Sequence, residues 1–165
     1  MRTIIHDLNE NNLKKLKFNK NDKIINALEC ENHCIGCFSC WTKHPTKCIY
    51  QDNFSNIASY IKDSNEFIII TDNKFGCFSS SVKKVLERCI GYVLPYFTIR
   101  DNMIHHKLRS NKQLSLKVYV YGNINKEEIM SFNALTRAVS INIGATKYKA
   151  CFSNNIKEID NVYIN

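Results

Sequence analysis

EFIIIT, residues Glu66–Thr71, sets four apolar side chains, Phe67 to Ile70, in an unbroken row. A strand with one wet face alternates apolar and polar residues, whereas an unbroken row needs cover on both faces. The stretch therefore reads as the central strand of a parallel sheet. Its flanks agree. Upstream, Phe54, Ile57, Ala58 and Ile61 within Asn53–Lys62 fall at helical spacing; downstream, Val82, Val85, Leu86, Cys89 and Ile90 within Ser81–Ile90 do the same, with a serine at 79 or 80 to cap them.

Further out the alternation continues. Arg2–Leu8 (RTIIHDL) and Asp22–Leu28 (DKIINAL) read as the first two strands, with a brief helix over Glu10–Lys17 between them. Leu114–Tyr121 (LSLKVYVY) reads as the fourth strand. Lys126–Ile143 is the longest helix, with Ile129, Phe132, Leu135 and Val139 facing inward and Gly144 as its stop, and Ala145–Phe152 is the last strand. Strands alternating with helices require right-handed crossovers. The expectation is one α/β domain over residues 1–165: a flavodoxin-like three-layer sandwich on a five-stranded parallel sheet of order 2-1-3-4-5. Its ligand crevice lies outside the carboxyl ends of the strands. The loops after strands two, three and four should emerge there together.

Composition narrows the class. The 165 residues are 44% hydrophobic and 23% charged, an ordinary globular balance. No leader-like start and no apolar run near twenty residues is present, which argues against secretion and membrane insertion. A cytoplasmic, reducing setting follows as the expectation, and in it the eight cysteines stand as thiols. The net charge of +8 comes from lysines scattered along the chain, with no basic stripe interleaved with aromatics. That pattern argues against a nucleic-acid partner.

Half of the cysteines crowd into CIGCFSCWTKHPTKC, residues 34–48. The spacing C-x2-C-x2-C-x7-C lets Cys34, Cys37 and Cys40 converge as the chain curls at Gly36, and Cys48 can close a tetrahedral set. Four thiolates suit a 4Fe–4S iron–sulfur cluster or zinc, with three close cysteines plus one more typical of a cluster. A free-thiol structural or redox loop, packed by Phe38 and Trp41, and a disulfide are the alternatives. Cys30 is a spare ligand, and His33 and His44 could ligate. Cys89 and Cys151 read as buried thiols.

CIGCFSCWTKHPTKC followed by IYQDN resembles the C-x-G-C-x-x-C-W-x-K-x-P-x-x-C-x-x-x-D segment of flavodoxin-like NAD(P)H-dependent FMN reductases and of the iron–sulfur flavoproteins among them. TDNKFGCFSSSVKKVLER resembles a second family segment, S-P-V-Y-F-G-x-x-S-x-x-x-K-x-x-x-D-R. Phe75, Gly76, Ser79, Lys83 and Arg88 fall on its positions, and Glu87 replaces its acid. The resemblance spans roughly residues 34–97. It implies an FMN-dependent oxidoreductase that moves electrons from NAD(P)H to a small acceptor or an iron–sulfur centre.

It also implies site residues. Asn73, Lys74, Phe75, Gly76 and Cys77 would border the flavin ring, Tyr121, Gly122 and Asn123 would approach it from strand four, and Trp41 would cover it. The four clustered cysteines would hold the cluster. Relatives are commonly dimers, and Tyr92–Phe97 (YVLPYF) is apolar enough to join such an interface. Where relatives carry glycine, serine and threonine around the phosphate, this chain has His6, Asp7, Leu8, Asn9, Glu10, Asn11 and Asn12, and two acids would face a dianion. A scaffold without FMN, acting as a metal-binding or protein-interaction module, is the alternative. Thr98–Lys112, with its His105–His106 pair, reads as a mobile loop or flap over the site.

Overall fold

In the computed structural model, which describes residues 1–154 and 156, β3 (Glu66–Asp72) is the middle strand of a five-stranded parallel sheet. β1 (Arg2–His6) lies on one side of it and β6 (Leu114–Tyr121) on the other. β2 (Lys23–Asn26) and β7 (Ala145–Ser153) form the edges, so the order is β2-β1-β3-β6-β7. With the two hairpin strands described below set aside, this is the 2-1-3-4-5 order.

The unbroken apolar row of β3 is explained by its two faces. Phe67 and Ile69 join Ile5, Leu116, Val118 and Val120 in one core, against α2 (Ile57–Asp63), α3 (Ser80–Glu87) and α4 (Lys126–Ile143). Ile68 and Ile70 join Ile4 and Tyr119 in a second core, under α1 (Glu10–Leu13), Leu16, Phe18 and Ile156. Every one of these strand residues is 1% exposed or less, so a shift of β3 by one residue would swap both cores at once. Among the described residues no helix is long and apolar enough to cross a membrane.

Two expectations needed correction. The helix expected over Glu10–Lys17 is one turn, Glu10–Leu13, capped by the Asn9 side chain on the Asn12 amide. Two asparagines in four residues give it little propensity of its own. Thr98–Lys112 is not a mobile flap. β4 (Val93–Arg100) and β5 (Met103–Leu108) form an antiparallel hairpin closed by Asp101 and Asn102, both at positive φ (50° and 60°). Asp and Asn tolerate that conformation, and a two-residue turn of this hand matches strand twist. Nor does the hairpin lie over the carboxyl rim. Arg100 Nη2 donates to the Asn142 carbonyl and His105 bonds the Asn142 side chain, at the end of α4 that sits by the strand amino ends.

Candidate functional site

The carboxyl rim is built from the loops after β3 and β6. Lys74 and Cys77 exchange backbone hydrogen bonds (3.0 and 3.1 Å) across a tight turn whose corners, Phe75 and Gly76, have φ of 55° and 73°. Glycine suits such a corner, but phenylalanine is strained there by roughly 1 kcal/mol or more. Phe75 is nevertheless 94% exposed, so core packing does not compensate it. Asn73 holds the turn in place. Its amide donates to the Asn123 carbonyl (2.8 Å) and to Glu128 (3.0 Å), while its oxygen accepts from the Gly76 amide. Glu128 in turn closes the capping box with Asn125 that starts α4.

The second loop lies alongside. Asn73 N donates to the Tyr121 carbonyl (2.9 Å), and Gly122, at φ 99°, holds a backbone conformation in which any side chain would be strained and its Cβ would also press on Asp72 Oδ1 at 2.7 Å. The structure thus brings Asn73, Lys74, Phe75, Gly76 and Cys77 together with Tyr121, Gly122 and Asn123. Lys74 pairs with Asp72 at 2.7 Å, and that hydrogen bond raises the ammonium pKa.

Of the two acids expected to face a phosphate at the first loop, Glu10 is exposed and Asp7 is not. Asp7 is buried and turns into the rim. Its carboxylate accepts from the Asp72 amide (3.0 and 3.2 Å) and from the Tyr121 hydroxyl (2.9 Å). Burial, then the Asp7 charge, pushes the Tyr121 phenol far up, so it stays a donor. Thr71 extends the network, its hydroxyl accepting from the Ser79 amide at the start of α3. The sequence named Asp7 only as an obstacle. Its partner stands 114 positions away, and no local signal marks the pair.

Phe75 offers an uncovered aromatic face, of the kind on which a flat ring stacks, on an anchored turn. A phosphate dianion is poorly matched at the first loop, since the amides of this loop left to donate are those of Asn9, Glu10 and Asn11, beside a buried acid. The Asp7 and Leu8 amides already donate to Ile70 O and His6 Nδ1, the Asn12 and Leu13 amides to Asn9, and Asp7 adds a fixed negative charge.

The cysteine loop leaves the rim after β2 but then runs down the outside of α3. Lys84 Nζ donates to the Cys30 carbonyl (2.9 Å), and lower down Arg88 makes two bonds to Asp52 (2.8 and 2.7 Å). Arg88 also stacks over Tyr50 and Phe54 and contacts the Cys30 sulfur. Asp52 and Arg88 are the residues that end the two segments of family resemblance, and here they hold those segments to each other. Cys34, Cys37, Cys40 and Cys48 line one cavity of about 330 Å³ with Phe38 and Arg88. Burial and then the neighbouring Cys48, Cys34 and Cys37 raise the Cys40 thiol pKa.

All eight cysteines are free thiols, so no disulfide closes the loop. Among the described residues no group of three or more His, Cys, Asp or Glu side chains stands at metal-binding geometry. Trp41 is placed apart from the rim residues. Its indole N–H donates to Ile90 O (2.9 Å), and its ring lies against Phe38 and His106, at the opposite end of α3 from Phe75. It therefore does not cover the rim of its own chain.

No family model matches this chain, and no curated protein does. Solved structures do. An FMN-dependent NADH-azoreductase from Bacillus anthracis, in complex with FMN, superposes with a TM-score of 0.57 at 13% identity, covering 92% of this chain and 85% of its own. An NADH:FMN oxidoreductase in its apo form gives 0.56 at 7% identity over 97% and 83%. An NAD(P)H:quinone oxidoreductase from Methanothermobacter marburgensis gives 0.56 at 7% over 96% and 92%. At these identities the likeness is one of fold: the chain has the flavodoxin-like α/β architecture of these oxidoreductases.

Proposed function

We propose that this chain is a flavin-dependent oxidoreductase, with the ring lying at the carboxyl rim against Phe75 and bordered by Asn73–Cys77 and Tyr121–Asn123. One observation carries the reading: a strained, almost fully exposed phenylalanine on a firmly anchored turn, at the rim where this fold binds its ligands. The folds that superpose, two of them named for FMN and one for a quinone, support it. A bound flavin would supply hydride acceptance from NAD(P)H and delivery to a small acceptor. The protein's own share is to hold the two loops rigid through Asn73 and to present Phe75 to the ring. The phosphate end is poorly matched to the first loop, so FMN would be gripped by its ring.

The test is flavin titration followed by quenching of flavin fluorescence, on the native chain and on Phe75→Asn. Asparagine accepts positive φ more readily. The variant should therefore melt at the same temperature or higher while binding flavin at least about tenfold more weakly, the loss expected for a large aromatic contact. A native chain that leaves flavin fluorescence unquenched refutes the reading.

A second reading is favoured by the thiol-lined cavity. Cys34, Cys37, Cys40 and Cys48 are a chemically competent donor set for an iron–sulfur cluster or zinc. Elemental analysis after anaerobic purification tests it: iron with acid-labile sulfide supports a cluster, zinc supports a structural ion, and neither removes the metal.

A further inference from the structure

The amino edge of the sheet holds a cavity of about 390 Å³ between α2, α3, α4 and the β4–β5 hairpin. Protein interiors are close-packed, so a void of this size is unusual, and it falls within the range of small-molecule sites. Its wall is largely apolar, with Ile61, Val139 and Ile143 facing it, and the aromatic residues Phe67, Tyr92 and His106 complete it. Nothing in the rim described above uses it.

The polar groups of the wall are mostly engaged by the protein itself. The Tyr92 hydroxyl donates to the Ile143 carbonyl (2.9 Å) and the Cys89 thiol to the Val85 carbonyl (3.2 Å). Arg100 caps the carboxyl end of α4 by donating to the Asn142 carbonyl (3.5 Å), but among the described residues no arginine or lysine lines the cavity. The one charged side chain on the wall is Glu87, the last residue of α3. It is exposed and therefore stands at the mouth, and among the described residues it makes neither an ion pair nor a side-chain hydrogen bond. An acid at a helix carboxyl end adds to the negative pole of the helix, where a cation is the favoured neighbour. The next residue, Arg88, does not relieve it, because its guanidinium is matched by Asp52 (2.7 and 2.8 Å).

We propose that this cavity binds a primary amine with an apolar aromatic body, of the arylalkylamine class, its ammonium on the Glu87 carboxylate at the mouth and its ring against Tyr92, Val139 and Ile143. The apolar body removes from water a wall whose polar groups are already bonded, and a ring suits a wall that is itself partly aromatic. The ammonium carries the charge that both the acid and the end of α3 favour, whereas an anion would meet two like charges. The fold carries its own reporter. Trp41, the only tryptophan in the chain, donates its indole N–H to the Ile90 carbonyl (2.9 Å) and lies against His106 (4.8 Å), two residues of the wall. The site is at the opposite end of the sheet from Phe75 and does not depend on the flavin reading.

Phenylbutylamine is the probe, titrated into the full chain by calorimetry and by Trp41 fluorescence, with phenylbutanol and phenylbutyrate as its matched uncharged and anionic forms. The amine should saturate at one per chain and bind about fivefold more tightly than the alcohol, the upper scale of one ion pair at a solvent-facing mouth. The carboxylate should bind more weakly than the alcohol. Glu87→Gln, at an exposed position, should fold as the native chain does, bring the amine to the level of the alcohol and leave the alcohol unchanged. Val139→Phe, which fills the cavity, should abolish binding of both. If Val139→Phe does not fold, Glu87→Gln and the contrast among the three probes still decide. Absence of saturable binding, the alcohol or the carboxylate binding as tightly as the amine, or undiminished amine binding in Glu87→Gln overturns the proposal.

Discussion

At the carboxyl rim, Asp7 accepts from the Asp72 amide and the Tyr121 hydroxyl, and Asn73 ties the loops of β3 and β6 to the first turn of α4. At the amino edge, Arg100, His105, His106 and Arg109 keep polar atoms without partners, while Phe38, Trp41, His106 and Phe97 stack in a line. At the rim, only His6 Nε2 stands unpartnered beside the network of Asp7 and Asn73, whereas the amino edge gathers five such atoms. A saturated network fixes a geometry and repels a charge it has no donors for. An unsatisfied one is costly until something else completes it.

The contrast can be broken from either end. The largest effect is expected where the cysteine loop is held to α3, since the Arg88 side chain is 0% exposed and its partner Asp52 is 25% exposed. Arg88→Met should destabilise by about 3 kcal/mol, the lower end for a buried pair that loses one member, read by urea unfolding. The same pair sets an acid limit. The Arg88 hydrogen bond holds the Asp52 carboxyl below its ordinary 3.8. Its stabilisation is therefore present above that value and lost as pH falls through the depressed one, a slope that Arg88→Met should remove.

Tyr121→Phe tests the rim. It removes the shorter of the two hydroxyl bonds to Asp7, leaving that of Thr71 (3.5 Å), and should cost about 1.5–3 kcal/mol, the range for a hydrogen bond to a charged group. The same denaturation series reads it. A smaller loss would mean that water replaces the phenol and that the network is less closed than its geometry indicates.

His6 gives a milder pH effect. It is fully buried, its Nδ1 accepts from the Leu8 amide, and burial lowers its folded pKa below 6.5. The unfolded chain then binds more protons as pH drops below 6.5, so stability should decline from there downward. His6→Gln should flatten that decline between about pH 5 and 7, measured as unfolding midpoint against pH. The smallest expected difference is the most pointed. Because the first loop offers a poor phosphate cradle, riboflavin should bind within about threefold of FMN, a free-energy gap below 1 kcal/mol. FMN favoured by more than tenfold would show that the loop amides rearrange around a dianion.

Much of the fold was legible because its signals are local. Leu114–Tyr121 and Lys126–Ile143 were readable to the residue: the first is a dense β-branched and aromatic run, and the second is fenced by the Asn125–Glu128 cap and by Gly144 at φ 67°. The hairpin was not read, although Asp101–Asn102 is a fair turn signal, because its strands mix charges and histidines with the apolar residues. The rim loops were legible as a resemblance. The inward turn of Asp7 and the docking of Trp41 on Ile90 were not, since each depends on a partner 114 or 49 positions away.

The sequence by itself determined which segments become strands and helices and that β3 lies in the middle. Periodicity and capping act over a few residues, and an unbroken apolar strand has only one stable place. Only the tertiary structure decided that the cysteines travel down α3 beside Arg88 and that Asp7 turns inward to the Asp72 amide and the Tyr121 hydroxyl. Those outcomes depend on which distant groups the packed fold brings beside a buried charge, and a linear pattern holds no record of that.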